Sequence, residues 1–240
     1  MNLISITQAM FMLGFVSMAA STFYFVLQRG EYKAEHRSTI TYAAVITFIA
    51  AIMYWQMKDI VMFPGGPADA SVISNTMPVR YLDWILTTPL LLAEFGMVAT
   101  LAGAAKGTTY KLIVADIVMI VTGYLGEIGV AGSGGNYVNF ILSSLAWAYI
   151  AYTIWKIELP KGTAEIKRVI ANMKYFVIFG WAIYPIGYMM LPGNLLEGLA
   201  AGADLTKTSP VDLAYNIADA VNKIGFGLVV YSIAKGASSK

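Results

Sequence analysis

The chain has 240 residues, of which 58% are hydrophobic and only 12% are charged, and its mean hydropathy is +0.65. Soluble domains carry roughly 25% charged residues, so the composition excludes an ordinary soluble protein and predicts a surface that faces lipid. The net charge of +2 provides no basic field for nucleic acid. With no cysteine there is no disulfide, and the single histidine, His36, makes a transition-metal site improbable. His36 lies in a polar run and is expected to be solvated.

Seven apolar segments of membrane-spanning length follow one another, at residues 4–28, 38–61, 77–104, 109–130, 136–156, 170–191 and 210–235. Each is close to the roughly 20 residues that an α-helix needs to cross a membrane. The first segment could instead be a signal peptide, but it lacks a basic N-terminal region and is too long for a signal core. The sequence therefore predicts an all-α membrane protein, a single seven-helix bundle over residues 1–240.

Basic residues are concentrated on one side of this bundle. Twelve lie in the loops after the first, third and fifth helices and in the C-terminal tail, and two, Lys58 and Lys207, lie on the other side, where Asp212 is also placed. This bias predicts an external N-terminus and a cytoplasmic C-terminus. On the outer side, residues 63–67 (FPGGP) predict a turn with room for a short β-hairpin, and residues 132–135 (GSGG) predict the connection between helices four and five.

Six ionisable residues lie inside the predicted spans, where charge is costly and usually functional. They are Arg80, Asp83 and Glu94 on helix three, Asp116 on helix four, and Asp219 and Lys223 on helix seven. We interpret Asp116 as a structural residue, hydrogen-bonded between helices. Glu127, near the outer end of helix four, is expected to reach water or a neighbouring subunit.

Helix three carries two carboxyl groups on one face. Arg80, Asp83 and Thr87 share a stripe because they are spaced at i, i+3 and i+7. Glu94 lies eleven residues beyond Asp83, which returns it to nearly the same face. A rise of 1.5 Å per residue places it about 16 Å further toward the cytoplasm. This arrangement is typical of two carboxyl groups, here Asp83 and Glu94, that bind a transported proton at different depths in the membrane.

Helix seven places Asp219 and Lys223 one turn apart on one face. Desolvation favours the neutral amine of a buried lysine, which can form a Schiff base. The alternative is a purely structural ion network of Lys223, Arg80 and the two aspartates. Glu94 favours the functional interpretation, because no cation is placed to pair with it. A lone buried carboxyl is expected to be protonated, which is the state that a proton donor needs.

Aromatic residues within helix six predict a rigid wall that faces inward. Trp181, Tyr184 and Tyr188 recur at i, i+3 and i+7 beside Pro185, and the small Gly123 on helix four leaves space for a flat ligand opposite them. Beside a buried lysine, these residues favour a cofactor pocket over ordinary core packing.

Three segments resemble the microbial rhodopsins. They are residues 80–91 (RYLDWILTTPLL), 180–185 (GWAIYP) and 219–227 (DAVNKIGFG), and with the seven spans the resemblance covers essentially the whole chain. Within the family the chain most resembles the proteorhodopsins, because Asp83, Thr87 and Glu94 match the triple associated with outward proton pumping. Leu91 resembles the residue of the green-tuned form.

The resemblance implies a light-driven outward proton pump with retinal bound covalently to Lys223 as a Schiff base. It implies that Asp83 is the counterion and proton acceptor, Asp219 the second counterion and Arg80 an outward-side electrostatic gate. Thr87 would orient Asp83, and Glu94 would reprotonate the Schiff base. The implied retinal-lining residues are Trp84, Thr88, Leu91, Met119, Gly123, Phe140, Ser143, Ser144, Trp147, Trp181, Tyr184, Pro185, Tyr188 and Asn222.

The chain departs from its relatives in helix two. Proteorhodopsins usually pair the acceptor with a histidine there, whereas this chain has residues 53–56 (MYWQ), so the acidity of Asp83 cannot be carried over. The glutamate pair that haloarchaeal pumps use for external release cannot be located in the sequence. Phe140 lies where carotenoid-binding relatives keep a glycine, so no antenna pigment is expected. The resemblance further implies a multi-pass protein of a prokaryotic plasma membrane, in contact with lipid and assembled as a pentamer or trimer.

Other functions use the same pocket. A chloride pump needs a neutral residue in place of Asp83, and a sodium pump needs a different triple, so the sequence argues against both. A sensory photoreceptor remains as the alternative, although a slow sensor has no need of an internal donor such as Glu94. A transporter without retinal is the alternative from a different class. In each case the protein is a transporter or receptor that turns over no chemical substrate.

Overall fold

The computed structural model describes residues 3–32, 34–62, 72–128, 132–191, 194–196 and 210–236. Within these ranges the chain forms seven helices and no strand. The first five are α1 (Leu3–Gln28), α2 (Arg37–Met62), α3 (Val72–Leu101), α4 (Lys106–Glu127) and α5 (Gly132–Trp155). Helix α6 comprises α-helical Ala164–Tyr175, π-helical Phe176–Gly180 and α-helical Ile183–Met189. Helix α7 comprises α-helical Pro210–Ala220, π-helical Val221–Gly225 and α-helical Phe226–Gly236.

The predicted seven-helix, all-α architecture is confirmed. In the described ranges, the first six helices are long and apolar enough to cross a membrane, by length and composition. Helices α1 to α5 pack side by side in chain order, and α7 packs against α1, α2 and α6 to close the bundle. Large apolar side chains such as Phe23, Leu27 and Tyr152 are exposed on the outside, as a surface that meets lipid requires.

Several predicted boundaries are wrong. Helix α3 begins at Val72 rather than at residue 77, and α6 begins at Ala164 rather than at residue 170, because both continue past the apolar span into polar sequence. Residues 132–135 open α5 instead of forming a loop, since the cost of about 1 kcal/mol per helical glycine is small enough for tertiary packing to override. The turn predicted at residues 63–67 lies outside the described residues.

His36 is buried, with 7% of its surface exposed, and is not solvated as expected. The segment between α1 and α2 folds back in two short 3-10 turns, Arg29–Glu31 and Ala34–His36. Arg37 Nε donates to the Tyr32 carbonyl at 2.9 Å, and Thr39 Oγ1 donates to the His36 carbonyl at 2.7 Å. These bonds tie the loop to the start of α2. His36 is therefore buried even though the surrounding sequence is polar.

The polar and apolar parts of the interior are separated along the bundle. Arg80, Asp83 and Asp219 are fully buried in one half. The other half is filled by an apolar cluster that includes Phe95, Ile170, Met173, Val177 and Phe226. The candidate site therefore lies in the charged half of the bundle, next to the apolar cluster.

Candidate functional site: a buried lysine, its carboxylates and an aromatic cavity

Lys223 lies at the centre of the charged half. Its Nζ is 2.5 Å from Asp83 Oδ2 and 3.6 Å from Asp219 Oδ1. The lysine is 2% exposed and both aspartates are completely buried. The structure therefore brings together the lysine and the two carboxyl groups that the sequence singled out on α3 and α7. Burying a charge costs several kcal/mol unless it is paired, so the two carboxylates are what permit an ammonium here.

Asp219 is held by three donors from three helices. Tyr54 Oη donates to Oδ2 at 2.9 Å, while Trp84 Nε1 and Tyr184 Oη donate to Oδ1 at 3.1 and 2.7 Å. These three donors fix the orientation of the carboxylate and occupy acceptor positions on both of its oxygens. Tyr54 lies at residues 53–56 of helix two, the region where the histidine usual in proteorhodopsins is absent. The sequence analysis did not assign Tyr54 a role in the site.

Asp83 has a different environment from Asp219. Thr87 Oγ1 donates to the Asp83 carbonyl at 2.8 Å and lies 3.4 Å from Asp83 Oδ1. Among the described residues, the hydrogen-bond partners of the Asp83 carboxylate are Lys223 and, over this longer distance, Thr87. Asp83 is thus the less firmly held of the two carboxylates, and it is the one closest to the lysine nitrogen.

Arg80 joins this centre to a second acid that the sequence analysis misplaced. Its Nη2 is 2.8 Å from Asp212 Oδ1 and 2.6 Å from Asn216 Oδ1, and its Nη1 is 3.8 Å from Asp219 Oδ2. Asp212 was counted with the outer loop, but it is completely buried. Helical spacing could have predicted the inward position of Asp212. Its face of α7 also carries Asn216, Asp219 and Lys223, at i+4, i+7 and i+11.

Glu94 stands apart from the charged centre. It is completely buried, and within the described part of the chain neither carboxyl oxygen has a hydrogen-bond partner. The same helix carries Asp83 eleven residues earlier, which corresponds to about 16 Å of helix. The apolar cluster of the other half includes Leu91, Leu92, Phe95 and Val98 from this stretch of α3. An unpaired carboxyl in such surroundings favours its neutral, protonated form.

An aromatic cavity opens beside the charged centre, with about 650 Å³ of atom-free space that includes the solvent at its mouth. Twelve of the predicted retinal-lining residues line it: Trp84, Thr88, Met119, Gly123, Phe140, Ser143, Ser144, Trp147, Trp181, Tyr184, Pro185 and Tyr188. Trp84 and Tyr184 also donate to Asp219, so the cavity adjoins the partners of the lysine. The Phe140 and Tyr188 rings stack at 4.9 Å and cover one side.

Three residues on the cavity wall were missed: Tyr81, Ile120 and Tyr215. Tyr81 and Tyr215 pack edge-on against Trp84, with ring centroids 5.0 and 5.6 Å away. Tyr81 precedes Trp84 by three residues and Tyr215 precedes Asp219 by four, so helical spacing could have indicated both.

Leu91 and Asn222 were predicted to line the cavity but do not lie on its described wall, and neither does Lys223, which was predicted to carry the retinal. Leu91 is buried in the apolar cluster, and the Lys223 nitrogen points to Asp83. Asn222 Nδ2 instead donates to the Gly180 carbonyl at 3.0 Å and to Tyr184 Oη at 3.3 Å. Asn222 lies in the π-helical turn Val221–Gly225.

Asp116 has the interhelical role expected for it. Its Oδ2 accepts a hydrogen bond of 2.8 Å from Thr88 Oγ1, which ties α4 to α3 behind the cavity wall. Glu127 differs from expectation, since its two carboxyl oxygens are buried rather than directed to water or a neighbouring subunit.

The contact between Gly180 and Asn222 joins the two π-helical segments. A Cβ added at Gly180 would overlap the Asn222 side-chain amide. We expect Gly180→Ala to lower the free energy of unfolding by about 1–3 kcal/mol, the usual cost of overpacking, and to lower the thermal unfolding midpoint of the purified protein.

Two further variants make this test specific. Gly107→Ala is the matched control, because nothing lies within 4 Å of a Cβ at Gly107. Gly180→Ala combined with Asn222→Ala removes the overlap and is expected to recover part of the loss. A Gly180→Ala protein that unfolds at the wild-type temperature would show that the contact is not tight.

A seven-helix membrane bundle, with a buried lysine between two carboxylates and an aromatic cavity beside it, has the architecture of a microbial rhodopsin. The family model for bacteriorhodopsin-like proteins matches residues 5–237, and the chain belongs to this family.

The relatives agree with this assignment. The green-light absorbing proteorhodopsin of Gamma-proteobacterium EBAC31A08 is 34% identical over 238 residues, which cover 97% of this chain and 88% of the relative. Exiguobacterium sibiricum rhodopsin, for which there is a crystal structure, has 36% sequence identity with this chain. The structural alignment covers 99% of each chain and has a TM-score of 0.80. Xanthorhodopsin, described as a light-driven ion pump with dual chromophore, is 26% identical, covers 98% of this chain and 94% of its own, and has a TM-score of 0.78. Sensory rhodopsins are also among the relatives. The chain is thus a membrane protein of a family that includes light-driven pumps.

Proposed function

We propose that the chain is a light-driven proton pump that carries retinal on Lys223 and moves protons from the cytoplasm to the exterior. One observation carries the proposal: the Lys223 nitrogen is 2.5 Å from the loosely held Asp83, and the helix that bears Asp83 also carries Glu94, which is buried and has no hydrogen-bond partner among the described residues. A nitrogen with an acceptor in contact and a separate donor further along the helix is the minimum that directional transfer requires.

The residues present fit retinal. The wall of the cavity is mostly aromatic and apolar, which suits a flat polyene. The cavity also adjoins the carboxylate partners of a primary amine able to form a Schiff base. When bound, retinal would supply the absorption of light and an isomerisation that changes the proton affinity of the Lys223 nitrogen.

The outward step is a transfer between two groups of this chain. Asp83 Oδ2 lies within hydrogen-bond reach of Lys223 Nζ, as a proton acceptor must. Asp219 lies further from the lysine nitrogen, and Tyr54, Trp84 and Tyr184 already donate to its carboxylate oxygens. The N–H bond at Lys223 breaks and an O–H bond forms at Asp83, with no change in the total charge of the pair.

The return step restores the proton from the other side. Glu94 holds a proton because its carboxyl is buried and the described residues offer it no hydrogen-bond partner, and it gives that proton to Lys223 Nζ. The apolar cluster around this part of α3 separates the Glu94 carboxyl from bulk water. The positive-inside bias of the sequence places the Glu94 end of α3 toward the cytoplasm, so the net movement is outward.

The energy requirement is modest. Moving one elementary charge against ~100 mV costs ~2.3 kcal/mol, a small part of the energy of a visible photon. We further propose that the protein works in the plasma membrane of a prokaryote, as a trimer or pentamer whose exposed apolar faces meet lipid and neighbouring copies.

A sensory photoreceptor is the second candidate, and the sensory relatives favour keeping it. The same lysine, carboxylates and cavity would serve a sensor. Glu94 argues for the pump, because an internal donor shortens the return to the resting state, whereas a sensor benefits from a long-lived signal.

The function is tested by supplying retinal to cells that express the chain, illuminating them in unbuffered medium and recording external pH. We expect light-dependent acidification that a protonophore abolishes and that Lys223→Ala removes together with the visible colour. Lys58→Ala is the matched control, because Lys58 pairs with Asp59 at 2.5 Å near the end of α2. A coloured protein that moves no protons would favour the sensor, and an uncoloured wild-type protein would rule out retinal.

A further inference from the structure

The first helix contacts the charged centre through Phe11 and Gly14, which lie about one turn apart on one face of α1. Phe11 is completely buried, and the centroid of its ring lies 5.2 Å from Arg80 Cζ. Gly14 is also buried and faces the Tyr54 ring on α2. Neither side chain can exchange a proton, and the pumping steps described so far use neither residue. Any influence that they have on the site must therefore act through Arg80 and Tyr54.

Gly14 makes room for Tyr54. A Cβ at this position would overlap the Cδ1 and Cε1 atoms along one edge of the Tyr54 ring. The ring is completely buried and lies in a cluster with Phe11, Met57 and Val61. Protein interiors are close-packed, with few voids larger than a water molecule, so the ring has no free space into which it could turn aside. Any side chain larger than that of glycine would therefore shift the position of Tyr54.

The position of Tyr54 decides which group contacts Asp219 Oδ2. Tyr54 Oη donates to this oxygen at 2.9 Å. Arg80 Nη1 lies 3.8 Å from the same oxygen and has no hydrogen-bond partner among the described residues. Hydrogen bonds between oxygens weaken beyond about 3 Å, so a small displacement of the hydroxyl would loosen its contact with Asp219. Arg80 Nη1 would then be the donor best placed to take over Oδ2.

Phe11 acts on Arg80, the other candidate partner. The guanidinium lies against two aromatic rings, Phe11 on α1 and Tyr215 on α7, whose centroids are 5.2 and 5.6 Å from Cζ. Aromatic faces attract a guanidinium, and both rings are buried, so they restrict its movement. Nη2 also donates to Asp212 at 2.8 Å. These contacts keep Arg80 at 3.8 Å from the Asp219 carboxylate rather than within hydrogen-bond distance of it.

We propose that Phe11 and Gly14 are positioning residues that select the partner of Asp219 Oδ2. Through them, α1 keeps Tyr54 on this oxygen and Arg80 away from it. A hydroxyl group donates a hydrogen bond without adding charge, whereas a guanidinium in contact would offset the carboxylate charge that faces the lysine nitrogen at 3.6 Å. The inference rests on the proposed function only for this consequence, which acts on the group bound at the lysine.

The position of Tyr54 is tested by NMR on the purified protein with isotope-labelled tyrosine. The signal of the Tyr54 phenol carbon is identified by its loss in Tyr54→Phe, and the measurement does not require retinal. We expect Gly14→Ala to shift this signal toward that of a more weakly hydrogen-bonded phenol. Gly14→Val is expected to shift it further, because the larger side chain displaces the ring more. Gly14→Ala, the smaller change, decides the question where Gly14→Val does not fold.

Gly227→Ala is the matched control. It makes the same change at another close contact of α1, since a Cβ at Gly227 would lie 2.7 Å from Phe25 Cζ in the apolar cluster. This variant is expected to lower the thermal unfolding midpoint, as Gly14→Ala does, because both introduce overpacking. The Tyr54 signal should nevertheless keep its wild-type position in Gly227→Ala, which separates a positioning role from a loss of stability.

The consequence for the site is measured by the absorption maximum of the retinal-loaded protein. We expect Gly14→Ala to shift the maximum in the same direction as Tyr54→Phe. The double variant should shift it no further than Tyr54→Phe alone, because both changes act through one hydroxyl. Phe11→Leu removes the ring beside Arg80 and is expected to shift the maximum in that direction too, whereas Gly227→Ala should leave it unchanged.

Two results would overturn the proposal for Gly14: a Tyr54 signal that Gly14→Ala does not move, or additive shifts of the absorption maximum in the double variant. An unchanged maximum in Phe11→Leu would remove Phe11 from the assignment. If the wild-type protein binds no retinal, the proposed function fails, while the NMR signal still decides whether Gly14 positions Tyr54.

Discussion

Replacing Asp83 by Asn is expected to lower light-driven proton transport at least about 100-fold, the typical effect of removing a positioned proton acceptor. The asparagine keeps the size of the side chain and its contact with Lys223, but it cannot take up the proton. Asp219 is a poor substitute, because Tyr54, Trp84 and Tyr184 already occupy and stabilise its carboxylate. Transport per absorbed photon, measured in vesicles of known orientation, is the quantity to compare.

Asp116→Asn is the matched control for this substitution. It makes the same change at another buried aspartate, whose described contact is Thr88 rather than the lysine. An amide at this position can still accept the Thr88 hydrogen bond, so transport is expected to continue. Equal transport in Asp83→Asn and the wild type would exclude Asp83 as the acceptor and would leave the ion cluster with a structural role only.

Glu94→Gln is expected to slow the return of a proton to Lys223 by about 10²–10⁴-fold, the range observed when a positioned acid is removed. The glutamine preserves the packing of the apolar cluster, so the forward transfer to Asp83 should keep its wild-type rate. Flash photolysis separates the two rates in one experiment. Steady transport in bright light should fall by a similar factor, because the return step would limit each cycle.

Two variants make the Glu94 result specific. Glu94→Asp keeps an acid one methylene shorter and is expected to recover part of the rate. Glu158→Gln removes a surface carboxyl at the end of α5 and is expected to change neither rate. If Glu94→Gln returns its proton as fast as the wild type, Glu94 is not the donor, and the argument that favours a pump over a sensor loses its main support.

The bundle could be predicted from the sequence because a membrane imposes simple rules. A helix must be apolar for about 20 residues to cross it, and a buried charge there needs a partner. These rules, with the 3.6-residue period of the helix, predict that Asp83 and Asp219 are the partners of Lys223. The structure places them in contact.

Other parts of the site were missed or gave no signal in the sequence. Asp212 was counted with the outer loop because it lies close to the predicted start of the last span, although its helical spacing aligns it with Asp219 and Lys223, and Arg80 pairs with it in the interior. The π-helical turns of α6 and α7 have no hydropathy signal, and they place Asn222 against Gly180 rather than on the cavity wall. The inward turn of Glu127 at the end of α4 depends on side-chain packing, which a linear pattern does not contain.

The direction of transport is measured by the sign of the light-induced current in voltage-clamped cells that express the chain and are supplied with retinal. With equal pH on both sides and no applied voltage, we expect a sustained outward current. That current should vanish in Asp83→Asn and saturate at lower light in Glu94→Gln. A transient current that decays to zero under continuous light, or a steady inward current, would rule out an outward proton pump.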